Sequence, residues 1–504
     1  MAGEQPYDLA IIGGGINGAG IACDAAGRGL SVVLIEAGDL AGATSSASSK
    51  LIHGGLRYLE HWEFRLVREA LAEREVLLAK APHLIRPMRF VLPHVAALRS
   101  RWLIRLGLFL YDRLAKRTTI GGSHGLDFTR DRSGVPLRDK FSHGFAYWDC
   151  WVDDSRLVIL NALSAAKNGA NILTRTRFDR AQAEDGLWRL DIKPEQVDAS
   201  RQVTARAIVN AAGPWADKVL TACDTGMPST GDNTRLRLIK GSHIVVPRIK
   251  GADDAYILQQ DDGRVVFVIP YEENYSMIGT TDVPIEGEPE KAAASDDEIH
   301  YMLAATNRYI TAEIKESDIV WKFSGVRPLY DDDAESASKV TRDYHLALKN
   351  GDDAPPILSI FGGKITTYRC LAEEALEKLS PFFPSMGRPW TRKGFLPGGN
   401  LPGGNMEAFL EGLAKRYPKI DPTLIKQIAR RHGSLTTDIL GDAESMDDLG
   451  QHIGEDLYEK EIDYLKRQEW AVTAEDILWR RTKVGLHLAP AERKKATAMI
   501  EALL

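Results

Sequence analysis

The chain has 504 residues, a formal net charge of −6, 44% hydrophobic residues and 27% charged residues. This length predicts more than one domain, and the composition is that of an ordinary globular protein. The negative charge argues against nucleic acid as a partner. Cys23, Cys150, Cys223 and Cys370 lie far apart, which fits a reducing compartment and predicts no metal site.

The N-terminal segment and the apolar runs bear on membranes. The first residues, MAGEQPYDLA, lack a basic segment followed by an apolar one, so we expect no signal peptide. No apolar run approaches the ~18–20 residues that a membrane-spanning helix needs. We therefore expect any contact with a membrane to be peripheral.

The segment 7–36, YDLAIIGGGINGAGIACDAAGRGLSVVLIE, predicts a strand, a glycine turn, a helix and a second strand. Gly13, Gly15 and Gly18 are spaced for a tight turn, for close approach to a pyrophosphate, and for helix–strand packing. Glu36 ends the second strand, where a carboxylate accepts hydrogen bonds from ribose hydroxyls. The pattern predicts a dinucleotide site. The acid disfavours NADP, and FAD and NAD both remain.

A serine-rich stretch follows where an NAD dehydrogenase would usually place another strand–turn–helix unit. Small polar groups that expose backbone suit the middle of a long FAD molecule, and the candidates are Thr44, Ser45, Ser46, Ser48, Ser49 and the cationic Lys50. A solvated linker is the alternative. It is disfavoured because the stretch runs directly into the apolar LIHGGLRYLE.

Further along the chain, periodicity predicts mostly helix over 61–115 and strand–turn–strand over 169–192. Residues 205–220 read as a strand that enters a glycine turn and a helix, so Gly213 and Trp215 are predicted to approach the cofactor as well. Alternating segments within 236–283 predict an antiparallel sheet.

The last part of the chain is predicted to form a separate domain. The repeated LPGGN unit at 396–405 predicts a linker between residues 1–395 and residues 406–504. The final segment reads as helices throughout, and it carries no cofactor motif.

The segment 99–117, RSRWLIRLGLFLYDRLAKR, has two interpretations. As a helix it carries an apolar stripe, Leu103, Leu106, Leu110 and Leu114, with Arg101, Arg105 and Lys116 roughly opposite and Trp102 beside it. Such a helix can lie among lipid headgroups. It can equally pack on a protein core with a solvated basic face.

Several long motifs resemble one family. TSSASSKLIHGGLRYLEH, FSHGFAYWDCWVDDSRL, NAAGPWAD, RLIKGSHIVVPR, IGTTDVP, GVRPL, FGGKITTYR and LWRRTKVG occur in the order expected of the bacterial, respiratory, FAD-dependent glycerol-3-phosphate dehydrogenases. The resemblance covers nearly the whole chain.

The resemblance implies an α/β fold, α+β overall. A Rossmann-type, glutathione-reductase-like FAD domain would be interleaved with an antiparallel-sheet substrate domain and followed by an all-helical C-terminal domain. It implies oxidation of sn-glycerol 3-phosphate to dihydroxyacetone phosphate by hydride transfer to FAD, with electrons passed to a membrane quinone. It also implies a homodimer on the cytoplasmic, inner face of the cell membrane.

Candidate site residues lie in these motifs. Gly362 and Gly363 would let the backbone approach the flavin ring at the start of a helix, whose positive end favours a reduced, anionic flavin. Thr366 is expected at the cofactor as well. Arg57, Arg327 and Lys364 are candidates for the substrate phosphate, with Tyr58 as a hydrogen-bond donor. Lys364 could serve the flavin instead, and a single arginine can also be a surface ion pair.

The identity of the general base is left open. His243 leads because an imidazole titrates near neutral pH, although histidines in strands are often only packed. Arg327 could instead hold the C2 oxygen, and His53 is a second imidazole. Thr280, Thr281 and Asp282 either contact the flavin region or substrate hydroxyls, or form an ordinary turn.

Three rival functions remain. A soluble oxidase of the same fold would pass electrons to oxygen. A flavin-binding sensor would bind cofactor without turnover, which leaves the phosphate-binding cations without a role. An amine or amino-acid oxidase would need a carboxylate-binding arginine rather than three cations.

Overall fold

A computed structural model describes residues 5–116, 118–224, 236–330, 343–351 and 354–504. The strands, in chain order, are β1 (Tyr7–Ile12), β2 (Val32–Ile35), β3 (Leu51–Ile52), β4 (Ile85–Pro93), β5 (His124–Asp127), β6 (His143–Val152), β7 (Asn171–Leu173), β8 (Thr176–Glu184), β9 (Leu187–Pro194), β10 (Arg201–Asn210), β11 (Cys223–Asp224), β12 (Leu236–Pro247), β13 (Ala255–Gln259), β14 (Val265–Tyr271), β15 (Tyr275–Gly279), β16 (Val283–Pro284), β17 (Trp321–Tyr330), β18 (His345–Lys349), β19 (Ile357–Phe361), β20 (His452–Gly454) and β21 (Leu457–Tyr458). The helices are α1 (Ile16–Gly27), α2 (Phe64–Lys80), α3 (Arg101–Arg113), α4 (Asp154–Lys167), α5 (Ala216–Thr221), α6 (Asp296–Asn307), α7 (Tyr368–Leu379), α8 (Met406–Arg416), α9 (Pro422–His432), α10 (Thr436–Leu440), α11 (Glu459–Gln468), α12 (Val484–His487) and α13 (Pro490–Leu503).

The first sheet is parallel at its centre, in the order β7, β2, β1, β10 and β19. Its strands are short apolar runs buried on both faces, as a parallel sheet covered by helices requires. Ile12 pairs with both Ile35 and Asn210, so β1, β2 and β10 end at the same level. The turns that follow these strands therefore meet at one edge of the sheet, where ligands of such folds bind.

The second sheet is mostly antiparallel and carries strands from three separate parts of the chain. Its long pair, β12 with β17, places His243 opposite Phe323 and Ile239 opposite Arg327. The antiparallel sheet predicted for 236–283 is present as β12, β14 and β15. The strands of the two sheets alternate in sequence, so the two domains are interleaved as predicted.

The prediction of mostly helix over 61–115 missed one strand. β4 crosses the second sheet, antiparallel to β6 and parallel to β13. Its apolar residues fit a helix and a buried strand equally well, and the neighbouring strands that decide between them come from distant segments. The helices α2 and α3 flank it.

The helix α3 packs on the core through Ile104, Leu108 and Tyr111. Of the predicted apolar stripe, Leu103 and Leu106 lie on another face and are 56% and 55% exposed, whereas Leu114 packs against this core. The core contact and the exposed apolar face therefore belong to different sides of one helix.

The C-terminal region is helical, from α8 to α13, with one short hairpin formed by β20 and β21 that the all-helical prediction lacked. Leu396 and Leu401 of the 396–405 segment are buried in the same hydrophobic cluster as the helices on the first sheet. The domain boundary at 396–405 remains a prediction. The segment itself packs against residues that precede it and against residues that follow it in the chain. Among the described residues, no helix is long and apolar enough to span a membrane.

Candidate active site

The glycine turn after β1 is closed by backbone contacts that exclude side chains. Gly13 has a φ of +110°, and a Cβ on Gly18 would lie 1.9 Å from the carbonyl oxygen of Gly13. Gly15 precedes the first turn of α1, where the N–H groups have no partner within the helix. This combination of a tight turn and a helix N-terminus is suited to a pyrophosphate.

Glu36 is attached to the same turn. Its two carboxylate oxygens accept hydrogen bonds from the N–H groups of Gly14, at 2.6 Å, and Gly38, at 2.7 Å. Burial raises the pKa of Glu36, and the two N–H donors oppose this rise. The carboxylate is therefore held in place at the end of β2, as recognition of a ribose requires.

The serine stretch bridges the two sheets. Ser45 Oγ accepts a hydrogen bond from the N–H of Ile16, at 3.0 Å, and Thr44 Oγ1 donates to the carbonyl of Val326, at 2.7 Å. Ser49 Oγ lies 2.9 Å from Nε2 of His243. The stretch thus runs from the N-terminus of α1 to the second sheet, and it is not a solvated linker.

The Lys50 side chain has a different environment from the one expected. It is buried, and its Nζ lies 2.8 Å from Asp154 Oδ1 and 2.9 Å from the carbonyl oxygen of Ser46. Ser48 Oγ donates to the same carboxylate at 2.7 Å. Lys50 therefore stabilises the serine stretch through its paired charge. It is not among the residues that line the cavity described next.

A cavity of about 720 Å³ extends from the start of α1 to α3. The predicted site residues that line it come from widely separated segments, and they are Thr44, Ser45, Ser48, Ser49, His53, Arg57, Tyr58, His243, Thr280, Asp282, Arg327, Gly362, Gly363 and Lys364. The folded chain therefore brings the serine stretch, both histidines and all three candidate cations to one space.

One of the three candidate cations is paired with a carboxylate. Arg327 forms an ion pair with Asp282, and its Nη2 lies 3.5 Å from Thr280 Oγ1. Lys364 Nζ lies 3.7 Å from the centre of the Tyr58 ring, in a cation–π contact. Arg57 lines the same cavity. The arrangement presents three cations and one carboxylate to a ligand, which suits a dianion.

Gly241 is a site residue that the sequence reasoning missed. It lies opposite Gly325 in the second sheet, and a Cβ on it would lie 2.6 Å from Arg327 Nη2 and 2.7 Å from Thr280 Oγ1. Its small size leaves space for the Arg327 side chain. The available signal was a glycine inside a strand, which often marks such a close approach.

The ring of His243 is buried and stacks on Phe323, with ring centroids 4.9 Å apart. Burial, together with the nearby charges of Arg327 and Lys50, lowers its pKa to about 3. Among the described residues its Nδ1 has no hydrogen-bond partner. The imidazole is therefore neutral at physiological pH and able to accept a proton.

The turn after β19 differs in detail from the prediction. Gly362 and Gly363 have φ values of +74° and +99°, and Asn17, which the sequence reasoning missed, donates to the Gly362 carbonyl at 3.1 Å. The helix α7 begins only at Tyr368, after a further turn. Thr366 is buried and accepts a hydrogen bond from the His53 N–H at 3.2 Å. It connects two cavity walls without lining the cavity.

The turn after β10 approaches the glycine motif through Ala211, because a Cβ on Gly13 would lie 2.5 Å from the Ala211 carbonyl oxygen. Gly213 adopts a φ of +55°, and Trp215 Nε1 donates a hydrogen bond to Glu290. Neither lines the cavity, so their predicted contact with the cofactor remains a prediction.

Comparisons with known proteins agree with this geometry. The family described as "FAD dependent oxidoreductase" matches residues 8–369, and the "C-terminal domain of alpha-glycerophosphate oxidase" matches residues 390–503. The chain is 53% identical over 490 residues to a glycerol-3-phosphate dehydrogenase of Pseudomonas aeruginosa, covering 97% of this chain and 94% of that one. It is 50% identical over 493 residues to a D-erythritol 1-phosphate dehydrogenase of Brucella abortus, covering 98% and 97%.

A solved structure shares the fold. The glycerol-3-phosphate dehydrogenase of Bacillus halodurans, complexed with FAD, superposes with a TM-score of 0.76 at 24% identity, over 99% of this chain and 95% of that one. The interleaved fold and the resemblance read from the motifs are thus confirmed, and the cofactor is FAD. The chain belongs to the FAD-dependent oxidoreductase family that includes the bacterial glycerol-3-phosphate dehydrogenases.

Proposed function

We propose that the protein oxidises sn-glycerol 3-phosphate to dihydroxyacetone phosphate and passes the electrons to a membrane quinone. The observation that carries the proposal is the convergence of Arg57, Arg327 and Lys364 on a cavity that reaches Ile16, the first residue of α1. A phosphate dianion has enough acceptor oxygens and charge to engage several cations, whereas a carboxylate has less of both.

The reaction removes a hydride from C2 and a proton from the C2 hydroxyl. FAD, when bound, supplies the hydride acceptor. Arg327, whose guanidinium is oriented by Asp282, would hold an anionic oxygen or an oxygen that gains negative charge during the reaction. His243 is the candidate that takes the proton, since its ring is neutral and its Nε2 is oriented by Ser49. A bound dianion would offset the cationic charges that lower the His243 pKa, which makes the ring a stronger base.

The substrate is tested by anaerobic mixing of the holoprotein with phosphorylated polyols, with the visible flavin absorbance as the readout. We expect sn-glycerol 3-phosphate to bleach the flavin rapidly. D-erythritol 1-phosphate is the matched comparison, because a relative of similar identity is named for it. Faster bleaching by the four-carbon substrate would reassign the substrate, and no bleaching by either would refute the proposed chemistry.

The acceptor is tested in the same cuvette. A soluble quinone added to the reduced protein should restore the flavin colour without oxygen. Oxygen consumption with substrate alone, at a rate equal to the quinone-supported rate, would instead identify the protein as an oxidase. The homodimer implied by the resemblance is a separate proposal, which sedimentation velocity tests.

We also propose that α3 rests on the cytoplasmic face of the cell membrane. Trp102 is 86% exposed, and with Leu103, Leu106 and Phe109 it forms an apolar face on α3 at the rim of the cavity. Arg101 and Arg105 are exposed on the same helix. An apolar face beside cationic side chains suits a helix lying among anionic headgroups.

Two sets of variants test this placement. Replacing Trp102 and Phe109 by serine, or reversing the charges of Arg101, Arg105 and Lys116, should reduce sedimentation with anionic vesicles. Phe395→Ser is the control, because Phe395 is 50% exposed in a different part of the chain. Equal sedimentation of all variants would refute the membrane role of α3.

A further inference from the structure

Residues 36–42 follow β2 and carry Glu36, and we call this segment the cofactor loop. On its inner side it is attached to the glycine turn, because Gly14 N–H donates to Glu36 and Ala41 N–H donates to the Gly14 carbonyl at 3.1 Å. The position of Glu36 therefore depends on the conformation of this loop.

On its outer side the cofactor loop is held by the C-terminal region. Arg481 Nη2 donates to Asp39 Oδ1 at 2.8 Å, and Arg480 Nε donates to Asp39 Oδ2 at 2.5 Å. Asp39 is 5% exposed and Arg481 is fully buried. A buried carboxylate needs such partners, so loss of either arginine would leave a charge without full compensation.

The arginines are themselves fixed by a π-helical turn, Asp476–Arg481. Such turns are uncommon and occur often at functional sites. Arg480 Nη2 donates to Asp476 Oδ1 at 2.6 Å. Arg175 reaches the other oxygen of Asp476 at 2.8 Å, and its own N–H donates to the Gly38 carbonyl at 2.8 Å. The π-helical turn thus contacts the cofactor loop at both Gly38, through Arg175, and Asp39.

Asp476 is ionised within this network. Burial opposes its ionisation, but hydrogen bonds from the Val472 N–H and from Arg175, with the charge of Arg481, lower its pKa well below the usual range. The network joins the carboxylates of Asp39 and Asp476 to the guanidinium groups of Arg175, Arg480 and Arg481. It is a permanent connection at neutral pH.

We propose that Arg480 and Arg481 are positioning residues for FAD, which act by fixing Asp39 and so holding the cofactor loop and Glu36 in the binding conformation. The C-terminal region then contributes to the cofactor site without touching the substrate. The inference rests on FAD as the cofactor and does not depend on which polyol phosphate is oxidised.

The test measures FAD affinity of the full-length apoprotein by flavin fluorescence, together with its melting temperature. We expect Arg481→Lys and Asp39→Asn each to raise the Kd for FAD. If the loop is competent in only about a tenth of the molecules, the Kd rises about tenfold. At saturating FAD, kcat should be close to that of the unchanged protein, because the substrate end is intact.

The matched control is Arg431→Lys. Arg431 is also a nearly buried arginine of the C-terminal region, but its carboxylate partners, Asp456 and Glu461, lie in that region too. It should lower the melting temperature without changing the Kd for FAD. The double variant Asp39→Asn/Arg481→Lys should have nearly the same Kd as either single variant, since both interrupt one connection.

Two results would overturn the proposal. One is an unchanged Kd for FAD in Arg481→Lys and Asp39→Asn despite a lowered melting temperature. The other is an equal rise in Kd for Arg431→Lys, which would indicate general loosening. If Arg481→Lys does not fold, Arg480→Lys provides the same comparison at a side chain that is 13% exposed.

Discussion

The two ends of the cavity differ in whether the main chain or the side chains determine their geometry. At the cofactor end, the main chain determines the geometry, through glycines at which an added carbon atom meets a carbonyl oxygen. At the other end, where we propose that the substrate binds, charged side chains from distant segments determine it, and Asp282 already pairs with Arg327. A backbone site tolerates almost no added volume, whereas a site made of side chains responds to substitution in graded steps. Substitutions at the two ends should therefore differ in severity.

The largest effect is expected from Gly18→Ala. Its Cβ would lie 1.9 Å from the Gly13 carbonyl oxygen, and neither main-chain segment can move without opening the turn. The purified variant should lack flavin absorbance, while far-ultraviolet circular dichroism shows folded protein.

Gly412→Ala is its control, because Gly412 also lies within a helix and nothing is within 4 Å of an added Cβ there. This variant should retain FAD, and alanine should stabilise the helix by up to about 1 kcal/mol. Stoichiometric FAD in Gly18→Ala would show that the cofactor end is as adaptable as the substrate end.

Arg327→Ala should spare FAD and lower turnover with sn-glycerol 3-phosphate. A hydrogen bond to a charged group contributes about 1.5–3 kcal/mol, which corresponds to a loss of roughly 10–150-fold in kcat/KM. Arg130→Ala is the control, because this side chain is 88% exposed and does not line the cavity. Unchanged kinetics in Arg327→Ala would remove Arg327 from the site.

His243→Asn should retain FAD and lower kcat by about 10²–10⁴, the range expected for loss of a general base. Ser49→Ala should lower kcat less, because it removes only the partner of Nε2, at 2.9 Å. Stopped-flow flavin reduction measures both. Reduction by His243→Asn at the original rate would assign the proton to another acceptor, with His53 as the remaining candidate.

The smallest effect concerns acid stability. Burial, with the charges of Arg156 and His432, lowers the pKa of His83 to about 3. Because the unfolded chain binds the proton more readily, this histidine favours unfolding as the pH falls from about 6.5 towards 3, by up to about 1.4 kcal/mol per pH unit. Between pH 7 and pH 5, the free energy of unfolding from urea melts should therefore fall less for the His83→Leu variant than for the unchanged protein. An equal loss would contradict a buried, neutral His83.

Local sequence was sufficient for the features that depend on neighbouring residues. Gly13, Gly15, Gly18 and Glu36 are contiguous with the strands that position them, so their spacing alone predicted the turn and the acid beside it. The alternation over 236–283 predicted its strands for the same reason. The strand β4 was missed because its pairing partners, β6 and β13, lie far away in sequence.

Ion pairs were the main features that local sequence patterns did not predict. The sequence indicated cations at Lys50 and Arg327, but it did not show that Asp154 and Asp282 neutralise them. Likewise, the stripe on α3 was visible in the sequence, whereas the face that packs on the core was decided by the second sheet.

The sequence by itself determined the dinucleotide turn and the list of candidate cations, and the interleaved order of strands followed from the resemblance of its motifs to a known family. Only the tertiary structure decided which charges are paired, which face of α3 is exposed and how the C-terminal region reaches Asp39. The physical reason is the distance along the sequence between interacting residues. Backbone geometry and strand periodicity depend on near neighbours, whereas ion pairing and burial depend on residues up to 442 positions apart.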